Sequence, residues 1–124
     1  MEHLCILVTG ARDWQDEQLV KNALDQFKNK KVILIHGNCA GLDKIAEKVG
    51  IELGFEIESH PADWKKYGKA AGPIRNKEMI QSLNNYKNKY MFAFHDAIDL
   101  SRGTKDCVKQ AEKMNIFAQI IKHD

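Results

Sequence analysis

The sequence predicts an α/β fold of the Rossmann-like kind, a five-stranded parallel sheet of order 3-2-1-4-5 with helices on both faces. Three observations carry this. Short apolar runs alternate with amphipathic stretches along the chain, the rhythm of strand–helix units. The apolar runs are near-continuous rather than alternating, as befits strands covered on both faces. Glycines gather in the turns where those runs give way to helices. At 124 residues the chain can bury one core but not two, so 1–124 reads as a single domain.

The first strand falls at 3–9, His-Leu-Cys-Ile-Leu-Val-Thr, and a helix follows at 16–28. The second strand, 31–36, leads to a helix at 41–53, where Leu42, Ile45, Ala46, Val49 and Leu53 lie on one stripe and Gly54 closes the end. After a third strand at 55–60, segment 61–73 reads as one long irregular loop carrying Trp64 and Tyr67. A loop of that length in a small domain points to function or disorder. Pro73 opens the helix at 74–85, because its missing N–H costs nothing in a first turn. A strand at 89–95, a helix at 104–114 and a strand at 116–121 complete the chain. Right-handed crossovers and a reversal of winding between the third and fourth strands place a ligand crevice between the first and fourth, at their carboxyl ends.

Composition narrows the function classes. Hydrophobic residues make up 44% and charged residues 29%, and no apolar run approaches membrane-span length. Leu4 to Val8 follows Met1 without the basic lead and cleavage site of a signal peptide, so a cytoplasmic location is expected. Cys5, Cys39 and Cys107 are too widely spaced for a zinc knuckle and odd in number, which predicts reduced thiols with at least one in the core. A net charge of +2 gives too weak a basic bias to argue for binding duplex nucleic acid. Neither a phosphate-binding G-x-x-x-x-G-K-[ST] loop nor a G-x-G-x-x-G fingerprint is present, which removes most support for an ATPase or an ordinary NAD dehydrogenase. His36, His60 and His95 each end a strand, but the strand order separates His95 from the others, so no metal and no cofactor are expected.

The candidate site gathers at the predicted crevice. Only three of the nineteen lysines and arginines are arginine, and Arg12, Arg75 and Arg102 all fall on the strand-to-helix side. A guanidinium fork matches phosphate, so this segregation points to anion recognition, with Arg12 and Arg75 expected to touch phosphate rather than core. Thr9, Gly10, His36, Gly37, Gly103 and Thr104 would ring the same crevice, and a helix starting near Thr104 adds unpaired N–H donors. Trp14 and Trp64 offer rings that stack on a base or close as a lid.

With these residues in hand, the sequence resembles the SLOG superfamily, the Rossmann-like domains of the DNA-processing protein DprA and the Lonely Guy cytokinin-activating enzymes. Within it the chain is most similar to the YspA/YpsA-related branch. The stretches that carry the resemblance are Val8–Trp14, His36–Asp43, Pro61–Trp64, Gly72–Asn76 with Met79, and Ser101–Thr104. The resemblance implies a nucleotide-type ligand. Lonely Guy enzymes cleave nucleoside monophosphates with an arginine in an R-K-x-x-M segment and a glutamate closing G-G-x-G-T-x-x-E. Arg75-Asn76-Lys77-Glu78-Met79 keeps the arginine but has asparagine for lysine, and Cys107 stands at the glutamate position. Asp106, about 100° away on an ideal helix, reads as a poor substitute. Asp13, Asp43 and Asp63 remain as acids near the crevice.

The leading reading is therefore a module that senses, carries or sequesters a nucleotide through Thr9, Gly10, Arg12, Trp14, His36, Gly37, Asp43, Asp63, Trp64, Arg75, Asn76, Arg102, Gly103 and Thr104. The rival is a small hydrolase of a nucleotide's glycosidic or related bond, with Arg75 on phosphate and Asp63 or Asp43 as acid–base group. A homodimer is expected, paired through the helices at 74–85 and 104–114.

Overall fold

A computed structural model describes residues 3–124; Met1 and Glu2, counted in the single-domain span, lie outside the described residues. The elements in chain order are β1 (Leu4–Gly10), α1 (Glu17–Asp25), β2 (Val32–His36), α2 (Leu42–Glu52), β3 (Glu56–Ser59), α3 (Trp64–Tyr67), α4 (Ala71–Asn84), β4 (Asn88–Phe94), α5 (Gly103–Lys113) and β5 (Gln119–Ile121). The sheet is parallel throughout and ordered β3-β2-β1-β4-β5, as the sequence predicts.

Successive residues of a strand face opposite sides of its sheet, and β1 splits its side chains accordingly. Ile6 and Val8 enter a core with Val20 and Leu24 of α1, Leu42 and Ala46 of α2, and Phe92 and Phe94 of β4. Cys5 and Leu7 enter a second core with Met79, Ile80 and Leu83 of α4 and Cys107 and Ala111 of α5. Cys5 to Val8 are wholly buried, which is why the run shows no polar alternation. Burying each Leu, Ile or Phe of this kind contributes about 1.5–3 kcal/mol.

Two boundaries differ from the sequence reading. Segment 61–73 is mostly helical. The Asp63 carboxylate caps α3 by accepting from the Lys66 N–H, Gly68 ends it at a φ of 56°, and a 3-10 turn at Gly68–Ala70 runs into α4. Glycine and proline read as loop signals there, yet Gly72 and Pro73 sit in the first turn of α4, where neither breaks the helix. At the other end, β5 starts later than expected because Asn115 turns at a φ of 60° and Ile116 buries in the second core before pairing with β4 begins at Gln119.

The outward residues of α4 include Lys77, Glu78, Gln81 and Asn84, whereas the most exposed large apolar side chains, Leu100 and Phe117, precede α5 and β5. Among the described residues no helix is long and apolar enough to cross a membrane.

Candidate functional site

The β1 and β4 strands end side by side, with Gly10 registered on Phe94. At this point the chain winds away to opposite faces, leaving a cleft of about 530 Å³ above the strand ends, within the range of small-molecule sites. Its position is the one the topology predicts. Thr9, Gly10, Arg12, Gly37, Asp43, Trp64, Arg75, Asn76, Arg102, Gly103 and Thr104 all line it. Trp14, His36 and Asp63, the other three expected there, do not.

One wall is the turn from β2 to α2. Gly41 holds a φ of 72°, and a Cβ there would strike the Ala11 and Arg12 carbonyls, so the turn lies directly on the backbone that follows β1. Leu42 N–H bonds the Ala11 carbonyl at 3.0 Å. Three successive backbone donors of the turn are consumed. Asp43 Oδ2 accepts the N–H groups of Gly37 and Cys39, each at 3.1 Å, and His36 Nδ1 accepts that of Asn38 at 2.9 Å. The turn thus offers no N–H to a ligand from Gly37 to Cys39, and His36, wholly buried, turns its other nitrogen to Glu47 at 2.9 Å. The continuous burial of the strand it ends is the signal that would have moved His36 off the site.

Arg75 crosses from α4 to this turn. It is 6% exposed; Nη1 donates to the Gly37 carbonyl at 2.5 Å and Nε to Asn76 Oδ1 at 2.9 Å. A Cβ on Gly37 would come within 2.5 Å of Nη1, so glycine is needed for the guanidinium to lie on the backbone. Arg75 was expected to touch phosphate rather than core; it lines the cleft, but it is buried and two of its nitrogens hold the wall together. Asn76, at 2% exposure, extends the brace with Nδ2 to the Gly103 carbonyl at 3.2 Å and Asp106 at 3.0 Å. Asparagine bridges α4 to α5 here by donating and accepting at once, which a lysine does not do.

The opposite wall is the start of α5. Ser101 Oγ takes the Lys105 N–H, but the N-cap residue Arg102 supplies no side-chain acceptor, so Gly103 and Thr104 begin the helix uncapped. Such ends favour anions. Arg102 and Arg12 are exposed and have no acidic partner among the described residues, and the Arg12 guanidinium lies 6.0 Å from the Trp64 ring at the rim. Lys69, unnoticed in the sequence, and His95, weighed there only as a metal ligand, also line the cleft.

The acids are redistributed. Cys107 is wholly buried in the second core, its thiol pushed up to about 12 chiefly by desolvation, with Arg75 pulling the other way. It does not face the cleft. Asp106 does, held by Asn76 and by Gln110 at 2.8 Å. The angle between the two positions was correctly read and the helix phase was not: Thr104, Cys107 and Ala111 form the buried stripe of α5, which turns position 106 toward the ligand space. Asp63 is exposed and committed to capping α3. Asp43, 5% exposed, has its carboxyl raised above the usual carboxylate range, mainly by burial, against the opposing pull of the Cys39 N–H and the nearby His36 and Arg75. Its second oxygen, Oδ1, is buried with no partner.

Trp14 belongs to a separate hollow of about 520 Å³ lined also by Asp13, Asp16, His95, Asp96 and His123. The ring is 5% exposed, meets Phe94 edge-on at 5.7 Å, stacks on His123 at 4.9 Å and bonds the Asp16 carbonyl through Nε1. It packs on its own scaffold and is not a platform in the cleft. The expected histidine trio is likewise dispersed, His60 bonding Glu58 at 2.6 Å and His95 accepting from the Ala97 N–H.

The sequence pattern described as the YspA, cpYpsA-related SLOG family matches residues 4–67. Gene 61 protein of Mycobacterium phage D29 is 33% identical over 119 residues, which span 90% of this chain and 90% of that protein.

Proposed function

This chain belongs to the YspA, cpYpsA-related SLOG family, and from that premise we propose that it binds a phosphorylated nucleotide or nucleotide-derived ligand in the cleft, as a sensor, carrier or sequestering protein. The observation that carries the reading is the uncapped start of α5 at Gly103 and Thr104, flanked by Arg102 and faced by Arg12, two guanidinium groups without acidic partners. Phosphate supplies the acceptors that these donors lack. Trp64 at the rim offers the planar face a base would stack on.

A second reading, hydrolysis of a nucleotide's N-glycosidic or related bond, is favoured by Asp43, a cleft carboxyl held above its usual range, and by Asp106 across from it. A perturbed acid such as Asp43 is what general acid–base work requires. Binding is preferred because both carboxylates are already engaged in holding the walls. The protein is proposed to act in the cytoplasm and as a homodimer.

Incubation with a panel of nucleoside mono-, di- and triphosphates, followed by thermal shift and product chromatography, tests the reading. A ligand at 100 times its Kd adds about 2.7 kcal/mol of stability, and binding without product is the expected result. Release of free base that disappears in Asp43→Asn or Asp106→Asn, with binding retained, would establish the hydrolase instead.

A further inference from the structure

Asp43 Oδ1 is a buried carboxylate oxygen with no hydrogen-bond partner, on a residue that lines the cleft. Its sister oxygen is saturated by the N–H groups of Gly37 and Cys39. Leaving such a group unsatisfied is costly, and Asp43 cannot swing away to solvent without releasing both N–H groups.

We propose, resting on the nucleotide reading above, that Asp43 Oδ1 receives a sugar hydroxyl of the ligand and so selects ribonucleotides over nucleotides lacking the ribose hydroxyls. The chemistry of the oxygen decides among the parts of a nucleotide. A phosphate brings only acceptors and negative charge, which an ionised Asp43 repels. An amino group brings only donors, and serves the ionised carboxylate alone. A hydroxyl donates and accepts, so it satisfies Oδ1 whether or not the carboxyl holds its proton, and burial shifts this carboxyl toward holding it. The layout agrees: Asp43 stands in the first turn of α2, on the wall opposite the cationic start of α5, and the two line one cleft. A phosphate bound at Arg102, Gly103 and Thr104 leaves the sugar, not the phosphate, to face Asp43.

The test compares AMP, GMP, CMP and UMP with their 2′,3′-dideoxy counterparts by calorimetry on the wild type and on Asp43→Ala. Alanine removes the oxygen altogether, whereas an amide at that position would still donate to a hydroxyl. We expect the wild type to bind at least one ribonucleotide tenfold or more tighter than its dideoxy form, and Asp43→Ala to reduce that ratio to threefold or less. Equal binding of the two forms by the wild type overturns the proposal while leaving the nucleotide reading intact. A preference that survives undiminished in Asp43→Ala also overturns it. Should the variant fail to fold, the wild-type ratio alone decides. If the wild type binds none of these nucleotides, the proposal falls together with the reading on which it rests.

Discussion

Two hollows of nearly equal volume, about 530 and 520 Å³, lie on either side of Ala11 and His95, which line both. Their chemistry is opposite. Among the described residues, Arg12 and Arg102 have no acidic partner in the cleft, Gly103 and Thr104 start α5 with no side-chain bond from its N-cap residue, and Asp43 Oδ1 is unpartnered. In the hollow around Trp14 the charges answer one another, His123 lying 2.7 Å from Asp16 and 3.0 Å from both oxygens of Asp96. Size does not separate a site from a packing gap. Polar capacity left unspent in the protein's own hydrogen-bonding does, because burial makes unspent capacity costly unless a ligand meets it.

The comparison breaks first if the cleft's lining is not what separates ligand space from core. Cys107→Glu places a carboxylate among Leu7, Met79 and Ala111, where the nearby Arg75 is already bonded to Gly37 and Asn76, and should cost about 3–5 kcal/mol. Urea denaturation measures this. An unchanged midpoint would mean that α5 can turn position 107 into the cleft.

A smaller and sharper test sets the arginines against one another. Arg75→Ala removes the bonds to Gly37 and Asn76, and should cost about 2 kcal/mol before any ligand is added. Arg12→Ala/Arg102→Ala removes two exposed side chains, and should change stability by less than about 0.5 kcal/mol. Yet the double variant should lose at least tenfold in affinity for a nucleoside monophosphate by calorimetry. Retained affinity would leave the cleft's cations as mere surface charge.

The smallest effect belongs to the other hollow. Hydrogen bonds to Asp16 and Asp96 raise His123 above its ordinary 6.5, and His123 in turn lowers both acids below 3.8. The histidine's contribution is complete below pH 6.5 and is lost as pH rises through its raised value. That of the acids is complete above pH 3.8 and is lost as pH falls through their lowered values. The cluster therefore stabilises most between about pH 4 and 6.5, though only slightly, since all three groups are exposed. The wild-type melting temperature should decline more than that of His123→Asn as pH rises above 6.5, while ligand affinity stays the same in both. An altered affinity would show the two hollows to be coupled through Ala11 and His95.

What the sequence disclosed follows from what each signal measures. Strand order and the crevice's place were legible because near-continuous apolar runs report sheet burial, and topology follows from chain direction. Arg12 and Arg102 were legible as cleft residues because the three arginines fall only on the strand-to-helix side. The phase of α5 was not: the cysteine inside the 104–107–111 stripe reads as core or as chemistry until tertiary packing decides. Nor did the sequence show that Gly37 and Cys39 spend their N–H groups within their own turn, since that depends on Asp43 reaching back from the next helix. Trp14 was misplaced because a large side chain beside a crevice can face either way, and the bonds that tie Arg75 into the wall depend on a turn remote in sequence.

The position of β1 at the middle of the sheet also bears on how the chain is made. β1 is the first strand of the sheet to be synthesised, yet one flank pairs with β2, whose Val32 meets Leu4, and the other waits for Asn88 of β4. At about 5–20 residues per second that interval is several seconds. During it a wholly apolar strand presents an open row of N–H and C=O groups, the arrangement most prone to pairing with a neighbouring chain. The cleft cannot close over it in that interval, because one of its walls is α5, which is made after the missing partner. The nascent chain therefore passes its most aggregation-prone moment before its candidate site is complete.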